Sequence, residues 1–171
     1  VYADRQKKPL PAYMRTSCEA EFEQRYSYLL HQKGVIYPPV LDVQRLNFFE
    51  EYQVGDIKFS GFPMAHGEIE SCGFRIGNTA YALDMRYLTD PKSFEALQGI
   101  ETLIIDAAGY HYPSNPVHAT LEDVYAYQAK IGAKRVILSV LSVAMDYKTV
   151  QNEIPEGYEV AYDGLSFKGV C

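Results

Sequence analysis

The hydrophobic and polar positions divide the chain into an irregular first part and a regular second part. Residues 4–17 carry two prolines and a run of charges, and predict a loop. Phe22, Tyr26, Leu29 and Leu30 fall at i, i+4, i+7 and i+8. That stripe predicts an amphipathic helix over 18–33, ending near Gly34 with Lys33 in its last turn. Tyr37-Pro38-Pro39 forces extended backbone. Residues 43–54 follow no clear period.

From Asp56 the periods sharpen. Ile57, Phe59 and Met64 flank short extended runs. Phe74–Ile76 and Thr79–Leu83 are separated by Gly77-Asn78, two residues that tolerate positive φ, and predict a hairpin. Asp90-Pro91 opens a short helix that ends at Gly99. Thr102-Leu103-Ile104-Ile105-Asp106 suits a strand covered on both faces. Thr120 with Asp123 three residues on is an acidic variant of a capping box, for a helix running to Gly132. Arg135–Val140 predicts another buried strand, and 146–153 a helix stopped by Pro155. Residues 158–162 and 165–168 predict a closing hairpin around Asp163-Gly164. The resulting order from residue 56 is ββ-α-β-α-β-α-ββ, an α/β pattern.

Composition narrows the partners. The 171 residues are enough for one domain with a sizeable core. The hydrophobic share, 47%, excludes wholesale disorder. No apolar run approaches the ~20 residues of a membrane span, so no membrane association is expected. With 16 Lys+Arg against 22 Asp+Glu the net charge is −6, which argues against nucleic acid as a partner. Cys18, Cys72 and Cys171 are odd in number and widely spaced, which fits reduced thiols and a cytoplasmic setting. The first residues lack both a signal-peptide pattern and an initiator Met, so the chain is expected to begin inside a longer protein. The 15 tyrosines include Tyr26, Tyr28, Tyr125 and Tyr127 at helical spacings, which suits packing.

Chemistry-bearing residues gather at predicted strand ends. His66-Gly67 follows one strand, Asp84 ends the next, Asp106 ends a third, and His118 precedes a helix start. Pairing stops at strand ends, so loops collect polar groups there. A His and two carboxylates at one sheet edge could bind a divalent metal through nitrogen and oxygen. The residues alone equally allow a turn residue at Asp84, a half-buried hydrogen-bonded His66, a surface His118 and a structural Asp106.

Several segments together resemble the metallo-β-lactamase-fold hydrolases. His66-Gly67-Glu68-Ile69-Glu70-Ser71-Cys72-Gly73-Phe74-Arg75-Ile76-Gly77 is similar to the segment "HG-x-I-x-S-x-G-F-R-I-G". Ala80–Asp84 resembles "AY-x-x-D", Leu103–Ala107 resembles part of "VDVLIIDAL", and Pro116–Leu121 resembles "P-S-H-x-S-L". "GAKRVIL" and "YEVAYDGL" follow in the same order, and Tyr2–Arg5 resembles the stretch just after the family's metal motif. The likeness is strongest over 64–168 and points to the cyclic-phosphodiesterase-like branch. It implies an αββα sandwich, of which 1–171 would be the C-terminal portion as a single, N-terminally incomplete domain. It implies two divalent metals, zinc or manganese, with His66 a ligand of one and Asp84 bridging both. It casts His118 as the general acid, a role that suits imidazole, whose ordinary titration range is near neutrality. Asp106 receives no role beyond a structural strand-end carboxylate.

Two departures qualify the resemblance. The HxHxDH ligand motif should precede Tyr2. The last ligand should stand in a "T-H-x-[HS]" segment, where this chain has Ser139-Val140-Leu141-Ser142. Val140 occupies the histidine's position without a lone pair, so the position reads as a lost ligand given over to apolar packing. Tight sites want at least ~3 protein ligands; with His66 and Asp84 retained, weak or partial metal binding is expected of this chain. The implied function is hydrolysis of phosphodiester or cyclic phosphate substrates by the full-length protein. The alternative is a non-catalytic member or fragment that binds a phosphate-bearing ligand or a protein partner, with His118, Arg75 and Arg86 as candidate anion contacts. A half-sandwich would also expose apolar sheet, which favours a homo-oligomer or a complementing N-terminal half.

Overall fold

The computed structural model describes residues 2–31 and 38–169. These form two compact units, Val1–Asn47 and Phe48–Cys171. In the first, α1 (Tyr2–Gln6) leads into β1 (Leu10–Met14), α2 (Thr16–Leu30) and β2 (Leu41–Arg45). β1 and β2 pair in parallel, Leu10 opposite Leu41. The loop expected over 4–17 is therefore partly helix and partly strand. A two-stranded parallel ladder is a non-local choice, and Pro11 fits it because an edge strand tolerates a missing N–H. The predicted helix exists, but it ends at Leu30 with His31 as its cap. Its expected end, Lys33-Gly34, lies outside the described residues. Tyr26 has non-helical backbone, and its ring meets Phe22 at 5.0 Å. No residue of α2 is fully buried.

The second unit is built on an eight-stranded sheet. Its strands are β3 (Glu51–Val54), β4 (Ile57–His66), β5 (Ile69–Ile76), β6 (Thr79–Ala82), β7 (Tyr87–Leu88), β8 (Thr102–Asp106), β9 (Arg135–Ser139) and β10 (Tyr158–Val160). The order is β10-β9-β8-β6-β5-β4-β3, with β7 also on β4. β3 to β6 run antiparallel, whereas β6, β8, β9 and β10 are parallel. The short runs around Phe59 and Met64 are one ten-residue strand. β3 covers residues 57–60 of β4 and β7 covers 64–65, so Pro63 falls in the gap between those two partners. The hairpin about Gly77-Asn78 forms as read. The closing hairpin does not: β10 joins β9 in parallel, and among the described residues nothing after Val160 is strand.

Three helices fill the parallel crossovers: α3 (Lys92–Ala96), α4 (Leu121–Ile131) and α5 (Tyr147–Glu153). Thr120 and Asp123 make the complete reciprocal capping box, and Gly132 closes α4 in left-handed backbone. Asp146 caps α5 through Thr149. On the sheet, Ala80, Leu103 and Val136 lie in one register row, and Ala82, Ile105 and Leu138 in the next, all buried. Leu97, Leu121, Val124, Ile131 and Val150 join them in a single core. A close-packed core of this kind holds the ends of β4, β6 and β8 in fixed register, and the chemistry lies at those ends.

Candidate metal centre

Three loops meet at one edge of the sheet. His66 is the last residue of β4, Asp84 lies two residues past β6, and His118 lies in the loop between β8 and α4. Main-chain bonds fasten the loops together: Arg86 N–H donates to Ala65 O at 2.6 Å, and Ala119 N–H to Met85 O at 2.8 Å. Gly109 N–H donates to Ala119 O at 2.9 Å. A side chain at Gly109 would put its Cβ 2.5 Å from that oxygen, so glycine is required by the close approach.

The result brings together His66, Asp84 and His118, with one potential ligand atom from each lying within 4.8 Å of the other two. The imidazoles meet edge to face with centroids 4.9 Å apart. His66 Nδ1 is 3.0 Å from Val117 O, and His118 Nδ1 is 2.7 Å from Asp106 Oδ2. A carbonyl and a carboxylate are acceptors, so each Nδ1 is a donor and each Nε2 carries the free lone pair. Two imidazole nitrogens and an exposed carboxylate make a donor set suited to a divalent metal.

Asp106 belongs to this centre, which the sequence reading did not establish. It is fully buried at the end of β8. Its Oδ2 accepts from Met85 N–H at 3.0 Å as well as from His118, and its Oδ1 accepts from Ala108 N–H at 2.9 Å. A buried carboxylate requires such partners. The available signal was an Asp closing an apolar run and followed by Ala-Ala-Gly, a setting with no room for solvent.

Val140 does sit immediately after β9, beyond Ser139, which pairs with Asp106. Its side chain is only half-buried and its φ is 55°, left-handed backbone that a β-branched residue rarely adopts. The apolar packing expected there is correspondingly incomplete. The two arginines considered for anions are committed elsewhere. Arg75 donates to the carbonyls of Gly77, Ala96 and Gln98. Arg86 pairs with Asp123. Asp123 lies below the usual carboxylate range: burial pushes it up, but the backbone N–H and hydroxyl of Thr120 and the Arg86 charge outweigh that.

A second polar cluster ties the same loop to the helices. His111 Nδ1 meets Glu122 at 3.0 Å and its Nε2 meets Glu153 at 3.5 Å, while Tyr110 donates to Glu153 at 2.7 Å. The hydrogen bond to Glu122 holds His111 above the ordinary imidazole range, with partial desolvation opposing it. Glu122 lies low, first through its own backbone N–H and less through His111. A raised folded-state value means that this contribution to stability is complete below the unfolded imidazole value and disappears as pH rises through the folded one. His111→Gln is therefore expected to melt below wild type at mildly acidic pH, with the gap closing under alkaline conditions. Melting curves across that range check the sign.

The fold has recognisable relatives. Residues 2–139 match the model of the β-lactamase superfamily domain. The chain belongs to that superfamily and has the metallo-β-lactamase fold. A diphosphatase of the PhnP family is 27% identical with a TM-score of 0.77, over 91% of this chain and 56% of that one. The metallo-β-lactamase-fold protein YhfI of Bacillus subtilis is 15% identical (TM-score 0.74, 94% of this chain and 66% of that one). The short form of human tRNase Z is 16% identical (TM-score 0.62, 92% and 66%). Among curated proteins, an octanoyltransferase of Porphyromonas gingivalis is 24% identical over 159 residues, 92% of this chain. The chain spans about a third of that protein (32%) and 56% of the diphosphatase.

Proposed function

We propose that the protein to which this chain belongs is a metal-dependent hydrolase of phosphodiester or cyclic phosphate substrates, with zinc or manganese held by His66 and Asp84. The convergence of His66, Asp84 and His118, with both Nε2 lone pairs free, carries the reading. The likeness to a diphosphatase supports phosphorus over a β-lactam as the point of attack. A divalent ion bound there would polarise the phosphoryl oxygens and lower the pKa of water. His66 and Asp84 would hold such an ion, Asp84 through its anionic oxygen. His118, held by Asp106 on Nδ1, would act as general acid only as the imidazolium: Nε2 takes a proton from solvent and passes it to the leaving oxygen, which restores its lone pair. Ala65, Met85 and Ala119, the sequence neighbours of His66, Asp84 and His118, are buried.

The ligand count limits the metal. Val140 offers no donor, so the chain is expected to retain no more than one ion, and less than one after dialysis. Elemental analysis checks this, and two ions per chain would contradict it. Hydrolysis of bis(p-nitrophenyl) phosphate with added manganese tests the function. Turnover supports it, and a metal-loaded full-length protein without turnover would leave a non-catalytic, phosphate-binding descendant.

A further inference from the structure

We propose that Asp106 is the positioning residue of this centre: its buried Oδ2 sets both the ring of His118 and the backbone of Asp84, with Ser71 completing the hold on Asp84. The proposal rests on the reading of His66, Asp84 and His118 as one site.

Asp84 has φ 54°, a left-handed conformation that a residue with a side chain keeps only when its surroundings impose it. The peptide that follows it is gripped at both ends. Its carbonyl, Asp84 O, accepts from Ser71 Oγ at 2.8 Å. Its N–H, on Met85, donates to Asp106 Oδ2 at 3.0 Å. That peptide cannot turn without breaking both bonds, so the backbone that carries the Asp84 side chain is held from behind. The same Oδ2 accepts from His118 Nδ1 at 2.7 Å, which holds the ring and leaves Nε2 bare. Rotation of the Asp106 carboxylate is blocked in turn by Ala108 N–H on Oδ1 at 2.9 Å. One fully buried oxygen thus couples a strained loop on β6 to a loop on β8, and neither of its partners is a metal-facing atom.

Nitrogen-15 NMR of the histidine-labelled 171-residue chain, metal-free and at mildly alkaline pH, reads the His118 tautomer directly. Wild type is expected to carry the proton on Nδ1. Asp106→Asn keeps an amide oxygen for His118 and should keep that tautomer. Asp106→Ala removes the acceptor, and the proton should move to Nε2, the preference of an unconstrained imidazole. Ser71→Ala should leave the tautomer alone. Zinc titration is the second readout: D106N, D106A and S71A should each bind about 10–100-fold more weakly than wild type, as loss of an outer partner does elsewhere. A merely structural Asp106 would lower the melting temperature while leaving tautomer and zinc affinity of the folded protein unchanged, and that result overturns the proposal. An Nε2–H tautomer in wild type overturns it too. Should D106A fail to fold, unchanged zinc affinity in D106N and S71A is sufficient to reject it. Absence of zinc binding in wild type would instead reject the metal site, with the tautomer comparison still deciding the role of Asp106 toward His118.

Discussion

Asp84→Asn is expected to leave the melting temperature of the chain nearly unchanged and to lower its affinity for zinc or manganese at least ~10–100-fold, the scale set by losing even an outer partner of a metal site. Phosphodiester hydrolysis should fall with it. The argument depends on what Asn preserves. Asn tolerates left-handed backbone about as well as Asp, so φ 54° at residue 84 carries no new strain. The bonds that hold the segment use main-chain atoms, Asp84 O and Met85 N–H, and neither is altered. The side chain is exposed, so the lost charge is not a lost buried pair. What disappears is one anionic oxygen beside two imidazoles. Isothermal titration beside a melting curve separates the two effects. Unchanged affinity would remove Asp84 from the site, and a large drop in melting temperature would show that the carboxylate supports the fold.

Why the place of Asp84 at the sheet edge was legible and the partners of Asp106 were not follows from where each signal resides. Asp84 and His66 stand at the ends of strands whose alternation and Gly77-Asn78 turn are local, and the motifs around them are contiguous. β8, the Thr120–Asp123 box of α4 and the short helix α5 were likewise readable, because each rests on neighbours within a few residues. The β1–β2 ladder was not readable, since it joins residues about thirty apart and neither strand has a clean period of two. The C-terminal hairpin failed for the same reason: Tyr158–Val160 finds its partner in β9, a non-local contact that outcompetes the turn at Asp163-Gly164. Asp106 draws its importance from full burial and from three donors, two of them distant in sequence. Only the fold supplies those donors.

Val140→His is expected to raise both stability and metal affinity, an unusual pairing for a change at the edge of a packed sheet. Residue 140 is left-handed, with φ 55°. A non-glycine residue in such a region costs of order 1–3 kcal/mol, and a β-branched side chain is the least suited to it, whereas His is among the types enriched there. Replacing Val with His should therefore release a fraction of that cost, up to about 1 kcal/mol. The side chain is only half-buried, so the new ring need not displace a closed core. Its backbone follows Ser139, which pairs with Asp106, the residue that orients His118. An imidazole entering from β9 would join His66 and Asp84 as a third protein donor, the number that tight sites generally want at least, and zinc affinity should rise about tenfold or more. Calorimetric melting and zinc titration of V140H, with V140N as the control that relieves backbone strain without adding an imidazole, separate the two contributions. Equal melting temperatures for V140H and V140N with tighter zinc binding only in V140H is the expected pattern. Loss of stability in both variants would show that Val140 is held by its packing after all, and equal zinc affinity would place residue 140 outside the metal centre.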